Sequence, residues 1–149
     1  MSPPIGIGLG LAPTLLWGVS RAAPSAPVLS LNSAVAGLLT FLWDIDDTVA
    51  AGDTLNRQVA TDSGFSTIID TTSRTISSGD DAANQITASQ YQAPANGTYY
   101  VRGSVTSATT GKTSAWSNTV TVVVSDIVSN RIMLDVDQIL WGSDRILWS

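Results

Sequence analysis

Two clusters of carboxylates are the residues of this chain that could do chemistry. Asp44, Asp46 and Asp47 follow an apolar run in Phe41-Leu42-Trp43-Asp44-Ile45-Asp46-Asp47-Thr48-Val49, and Asp80-Asp81 form a second group. Clustered carboxylates on a loop suit a hard cation such as Ca²⁺. They also make ordinary solvated turns, because Asp bonds its own backbone. The turn is the expected reading, so no metal, cofactor or catalytic residue is expected. The rest of the composition narrows the chemistry further. All twelve acidic residues are Asp, and the chain has neither His nor Cys. Disulfides and thiolate metal sites are thereby excluded, as is any nucleophile of the Ser/His or Cys/His type.

The Asp44 segment is similar to the first motif of haloacid-dehalogenase-type phosphatases. That resemblance would make Asp44 the nucleophile toward phosphorus and Asp46 the acid/base, with Mg²⁺ neutralising the phosphate. The family needs a doubly wound α/β domain. No amphipathic helical stretch of adequate length lies between Asp44 and Asp80. The one lysine, Lys112, follows the acidic pair where the family places it before. The motif is therefore set aside, and a non-enzymatic protein is expected.

The elements around these residues read as strands. Pro27–Leu31, Leu38–Trp43, Leu55–Thr61, Phe65–Asp70, Thr71–Ile76, Gln85–Tyr91, Tyr99–Val105 and Trp116–Val124 are short β-rich runs. Turn signals such as Asp62-Ser63-Gly64 and Ser77-Ser78-Gly79-Asp80-Asp81 separate them. In the second run Leu39, Phe41 and Trp43 share one face and Leu38 and Leu42 the other. Asn96-Gly97-Thr98 is formally a glycosylation sequon, and Asn-Gly is expected to act as a tight turn. Abundant Ser and Thr, one Lys and no Glu leave few surface-helix formers. An all-β sandwich follows. The net charge of −5 argues against a nucleic-acid partner.

Residues 26–125 resemble a fibronectin type III module of the variety found in bacterial and phage surface proteins. The resemblance is carried by Trp43, by Gln58-Val59-Ala60-Thr61-Asp62-Ser63-Gly64-Phe65-Ser66, by Gly97-Thr98-Tyr99 with Val101-Arg102, and by Ser114-Ala115-Trp116-Ser117-Asn118. It implies a seven-strand sandwich with Trp43 as the central core aromatic. It also implies Tyr99 as a corner tyrosine whose hydroxyl bonds nearby backbone. Trp43, Phe65, Tyr99, Val101 and Trp116 form the expected core. The chain departs from the pattern at Gly103, where a larger apolar residue is usual, and before Tyr99, where the usual Leu is replaced by Tyr91 or Ala93.

The flanks are of another kind. Residues 1–25 form an apolar Gly/Pro-rich arm and linker carrying Ile5, Ile7, Leu9, Leu11, Leu15, Leu16 and Trp17. No Lys or Arg precedes the apolar run, and prolines and glycines break it, so neither a signal peptide nor a membrane span is expected. Residues 126–149 carry a seven-residue repeat, with Ile139-Leu140-Trp141 echoed by Ile146-Leu147-Trp148. Three adjacent apolar residues make no coiled-coil seam. Strands closed by Gly-Ser-Asp turns are expected, pairing within a chain or between chains. Apolar ends of this type are expected to dock on a partner surface. The opening Ile5-Gly6-Ile7-Gly8-Leu9-Gly10-Leu11 looks like small tail- or capsid-associated phage proteins. That resemblance implies a virion component, on tail or capsid, whose partners are other virion proteins, its own copies and a host-surface glycan. The other reading is an extracellular or cell-surface carbohydrate-binding module.

Overall fold

The computed structural model describes residues 21–127. Among the described residues seven strands form two antiparallel sheets. Strands β1 (Val28–Val35), β2 (Leu38–Asp44) and β5 (Gln85–Gln92) make one sheet in the order β1-β2-β5. Strands β3 (Thr54–Ala60), β4 (Ile68–Thr75), β6 (Gly97–Thr106) and β7 (Val120–Val124) make the other, in the order β4-β3-β6-β7. This is the fibronectin III-like sandwich expected from the sequence.

The strands follow from alternation. On β2, Leu39, Phe41 and Trp43 are fully buried while Leu38 and Leu42 face out. On β6, Tyr99, Val101, Gly103 and Val105 point inward, and on β7 Val122 and Val124 do. These side chains, with Leu29, Leu55, Val59 and Ile86, form one apolar cluster between the sheets. Burial of such surface contributes roughly 1.5–3 kcal/mol per large side chain. The β1–β2 hairpin closes through Ala36 and Gly37, with φ of 49° and 77°. Two consecutive positive φ values define the turn whose twist matches paired strands. Tyr99 Oη donates to the Ala95 carbonyl at 2.6 Å, fixing the corner where the chain crosses from β5 to β6.

Several elements depart from expectation. Phe65–Asp70 and Thr71–Ile76 are not two strands: Phe65 to Thr67 belong to a loop, and Ile68–Thr75 run as the single strand β4. Asp62 organises that loop by accepting the backbone N–H groups of Gly64, Ser66 and Thr67. The Asp80-Asp81 turn is a short helix, α1 (Ser78–Ala83). Ser77 caps it: its hydroxyl accepts the Asp80 N–H, and the Asp80 carboxylate accepts the Ser77 N–H. The last strand begins at Val120 rather than Trp116. Gly97 is the first residue of β6, paired with Val124, and not the second residue of a tight turn.

The segment before β7 joins β6 by another route. Ser114 N–H donates to the Val105 carbonyl, and Ser117 N–H to that of Gly103. In return the Ser114 and Ser117 hydroxyls accept the N–H groups of Val105 and Gly103. Three residues on this segment thus match two on β6, and side chains replace half of a strand ladder. Asn118 closes the opposite side by bonding both the N–H and the carbonyl of Leu29.

Candidate functional site

The carboxylates singled out by sequence are occupied in turns. Asp46 accepts the Thr48 N–H and hydroxyl, and those bonds hold its carboxyl below the usual range. Asp44 accepts from Gln85 at 3.0 Å, and Asp81 accepts the Ala51 N–H. Burial pushes the Asp80 carboxyl up, but bonds from Ser77 and the Arg74 charge outweigh it, and the net direction is down. No group of three or more His, Cys, Asp or Glu among the described residues is arranged to hold a metal. The sheets are antiparallel, unlike the doubly wound domain that the Asp44 motif would require.

Trp43, Tyr99 and Val101 lie in the inter-sheet core. Trp116 does not: it is 43% exposed and sits on the outer face of the four-stranded sheet. The reason is the Ser114/Ser117 pairing, which turns the intervening indole outward. Phe65 is buried but also lies outside the inter-sheet cluster, with a φ of 55°. The two rings instead meet the Arg102 guanidinium, whose carbon is 3.9 Å from the Phe65 centroid and 4.2 Å from that of Trp116. Arg102 alternates with Val101 and Gly103, so it faces out. Gln58, opposite it on β3, accepts from its Nε and Nη2 at 3.1 and 3.0 Å. The result is a rigid aromatic–cation stack on an exposed sheet face.

A second feature was not singled out from sequence. Arg57 lies between Leu55 and Val59 on the inward face of β3, where alternation places an apolar residue, and it is only 6% exposed. Its Nη1 bonds the Gln90 carbonyl and Ser89 Oγ. Its Nη2 bonds Asp70 at 2.8 Å and Thr72 at 3.2 Å. Tyr91 packs its ring beside the guanidinium. Around Arg57 the sandwich is open: a cleft of about 120 Å³ is lined by Leu55, Arg57, Thr72, Arg74, Ala88, Ser89 and Gln90. It opens between β4 and β5, an edge strand of each sheet. The available signal was a charged residue interrupting the Leu55/Val59 alternation.

Ile5, Ile7, Leu9, Leu11, Leu15, Leu16 and Trp17 lie outside the described residues, as do Ile139, Leu140, Trp141, Ile146, Leu147 and Trp148. No helix among the described residues is long and apolar enough to cross a membrane.

No protein-family model matches the chain, and no curated protein does. Among solved structures the chain is similar to the chicken interferon gamma receptor alpha chain. The TM-score is 0.50 at 13% identity, over 67% of this chain and 50% of the receptor chain. The match spans about half of that receptor chain's length. At this identity the likeness establishes the fibronectin III-like fold alone. Nothing in these comparisons bears on a virion origin.

Proposed function

We propose that the chain is a non-enzymatic structural or adhesion component of a phage virion. Its sandwich is displayed on the tail or capsid surface and anchored through the two terminal segments. The observation that carries this reading is that apolar sequence continues in residues 5–17 and 132–148, on both sides of a sandwich whose core cluster, among the described residues, runs from Leu29 to Val124. Such sequence lowers its free energy by burial against a partner. The partners are other virion proteins or further copies of the chain, and exposed loops contact host-surface glycan. Deleting residues 1–18 and 131–149 tests this. Light scattering and co-sedimentation with purified particles should show self-association or particle binding by the full chain and neither by the truncated one. Equal monomers that both stay in the supernatant overturn the reading.

The exposed Trp116–Arg102 stack favours a second reading, a carbohydrate-binding or adhesion module of a bacterial surface or secreted protein. An extracellular location is compatible with the fold. That reading expects a stable monomer whose tryptophan fluorescence changes saturably with a saccharide, and loss of the change in Trp116→Ala.

A further inference from the structure

Edge strands expose unpaired backbone groups, and folded proteins cover or blunt them. On β1 the Asn118 side chain takes both the N–H and the carbonyl of Leu29, and Asp126 accepts the Ala36 N–H. β4 points charges inward: Asp70 stands opposite Val59, and Arg74 opposite Leu55, beside Arg57. β5 is less protected. Arg57 holds its Gln90 carbonyl, but the strand carries no charge and no Pro, and among the described residues it pairs with β2 alone.

The last described residue lies beside this strand. Ile127 and the Gln92 side chain meet over Gly37, where a Cβ would stand 2.7 Å from Ile127 Cδ1 and 2.9 Å from Gln92 Nε2. Asn96 fixes Ile127 there, accepting its N–H at 3.0 Å and donating to its carbonyl at 3.4 Å. β5 ends at Gln92, so a chain turning back from Ile127 runs antiparallel to it. The sequence that follows alternates. In Arg131-Ile132-Met133-Leu134-Asp135-Val136-Asp137, a strand would place Ile132, Leu134 and Val136 on one face and Met133, Asp135 and Asp137 on the other. The cleft between β4 and β5 suits that apolar face. Asp70 and Asp80 already pair the guanidinium groups of Arg57 and Arg74, and Leu55, Ala88 and the arginine stems leave a mostly apolar lining. Its volume of about 120 Å³ equals about four waters at ~30 Å³ each, the size of one four-carbon aliphatic side chain.

We propose that residues 131–137 add to the outer edge of β5 in their own chain, antiparallel, with the Ile132/Leu134/Val136 face turned to the cleft. Backbone pairing covers the edge, and the apolar face leaves water. Extended chain advances about 3.4 Å per residue, so residues 128–131 turn at the end of the sheet and the next ones reach Ala88–Gln90, which line the cleft. Tethering at Ile127 raises the effective concentration of the segment at its own β5. The pairing uses only residues before Gln138, so residues 138–149 stay available for the docking proposed above.

Site-resolved amide hydrogen exchange by NMR, on the full chain and on a chain ending at Asn130, tests the pairing. Alternate β5 amides, those pointing away from β2, should exchange at least about tenfold more slowly in the full chain, with the β2 amides as an unchanged control. Leu134→Asp puts a charge on the apolar face and should remove this protection. Met133→Asp, on the opposite face, should keep it. Equal β5 exchange with and without residues 131–149 overturns the proposal, as does equal loss in the two variants. Protection should stay constant over an about tenfold range of protein concentration. Protection that grows with concentration assigns the strand to a neighbouring copy and overturns the proposal too. Particle binding is read separately by co-sedimentation, so this pairing and the virion role can each fail alone.

Discussion

The indole of Trp43 lies directly on the backbone of Gly103. A Cβ at residue 103 would sit 2.4 Å from Trp43 Cζ3 and 2.6 Å from Cη2, and 2.9 Å from the Asn56 carbonyl oxygen. The absent side chain and the large one are therefore a single packing unit shared between the two sheets. With the Trp43 ring in this position, the larger apolar residue usual in the fibronectin III pattern does not fit at residue 103. Gly103 also meets Ser117 through its own N–H and carbonyl, so its backbone is held from both sides.

Gly103→Ala should destabilise the protein by about 1–3 kcal/mol, the range for overpacking a close-packed core. Urea denaturation of the two proteins checks this. A change under about 0.5 kcal/mol, the size of an ordinary surface effect, would show that the ring has room to move.

The two tryptophans should behave very differently. Trp43→Ala empties a site with no solvent exposure and should cost about 3–5 kcal/mol. Trp116→Ala removes one face of the Arg102 stack and should cost about 0.5–1 kcal/mol. Chemical denaturation separates them, and similar losses would return Trp116 to the core.

Tyr99→Phe keeps the buried ring, with its edge contact to Tyr91 at 5.9 Å between centroids, and deletes the bond to Ala95. About 0.5–1.5 kcal/mol of stability should be lost. An unchanged midpoint would mean that the corner is held by packing alone.

Acidification should destabilise the fold through three turn carboxylates. Thr48 bonds lower the Asp46 carboxyl, and backbone N–H groups of Ser66 and Thr67 lower that of Asp62. Asp80 is lowered despite its burial. A carboxylate depressed in the folded state stabilises fully above its unfolded value, 3.8 for each of these. That contribution is lost as the pH falls through the still lower folded values. Stability should hold from pH 7 to about 5 and then fall below pH 4. The Asp62→Asn/Asp80→Asn double variant should show a shallower fall in urea midpoints between pH 5 and 3, and an unchanged slope would assign the acid sensitivity elsewhere.

The carboxylates also show how local patterns were legible while their consequences were not. Asp62-Ser63-Gly64 reads as a turn from its residue types, and it is one. Ser77-Ser78-Gly79-Asp80 reads as a turn by the same signals, yet the Ser77/Asp80 reciprocal bonds start a helical turn. Both outcomes use the same short-range hydrogen-bonding side chains, and the choice between them depends on where the chain must cross to β5. Trp116 has the hydrophobicity of a core residue. It faces out because Ser114 and Ser117 pair in a three-to-two register that a strict period of two does not anticipate. Arg57 has the opposite history: its position is inward by alternation, and its charge marks the cleft, but its partners Ser89 and Gln90 are 32 and 33 residues away.

By itself the sequence determined an all-β chain, the order of most strands and the two possible faces of β2, because period-two alternation and turn chemistry are local properties. The tertiary structure decided that Leu39, Phe41 and Trp43 face inward and that Gly103 makes room for an indole. It also decided that Arg57 and Arg74 stand beside each other at an open sheet edge. Those relationships join residues distant in the chain, and they exist only once two sheets are packed and their volumes and donors must be matched.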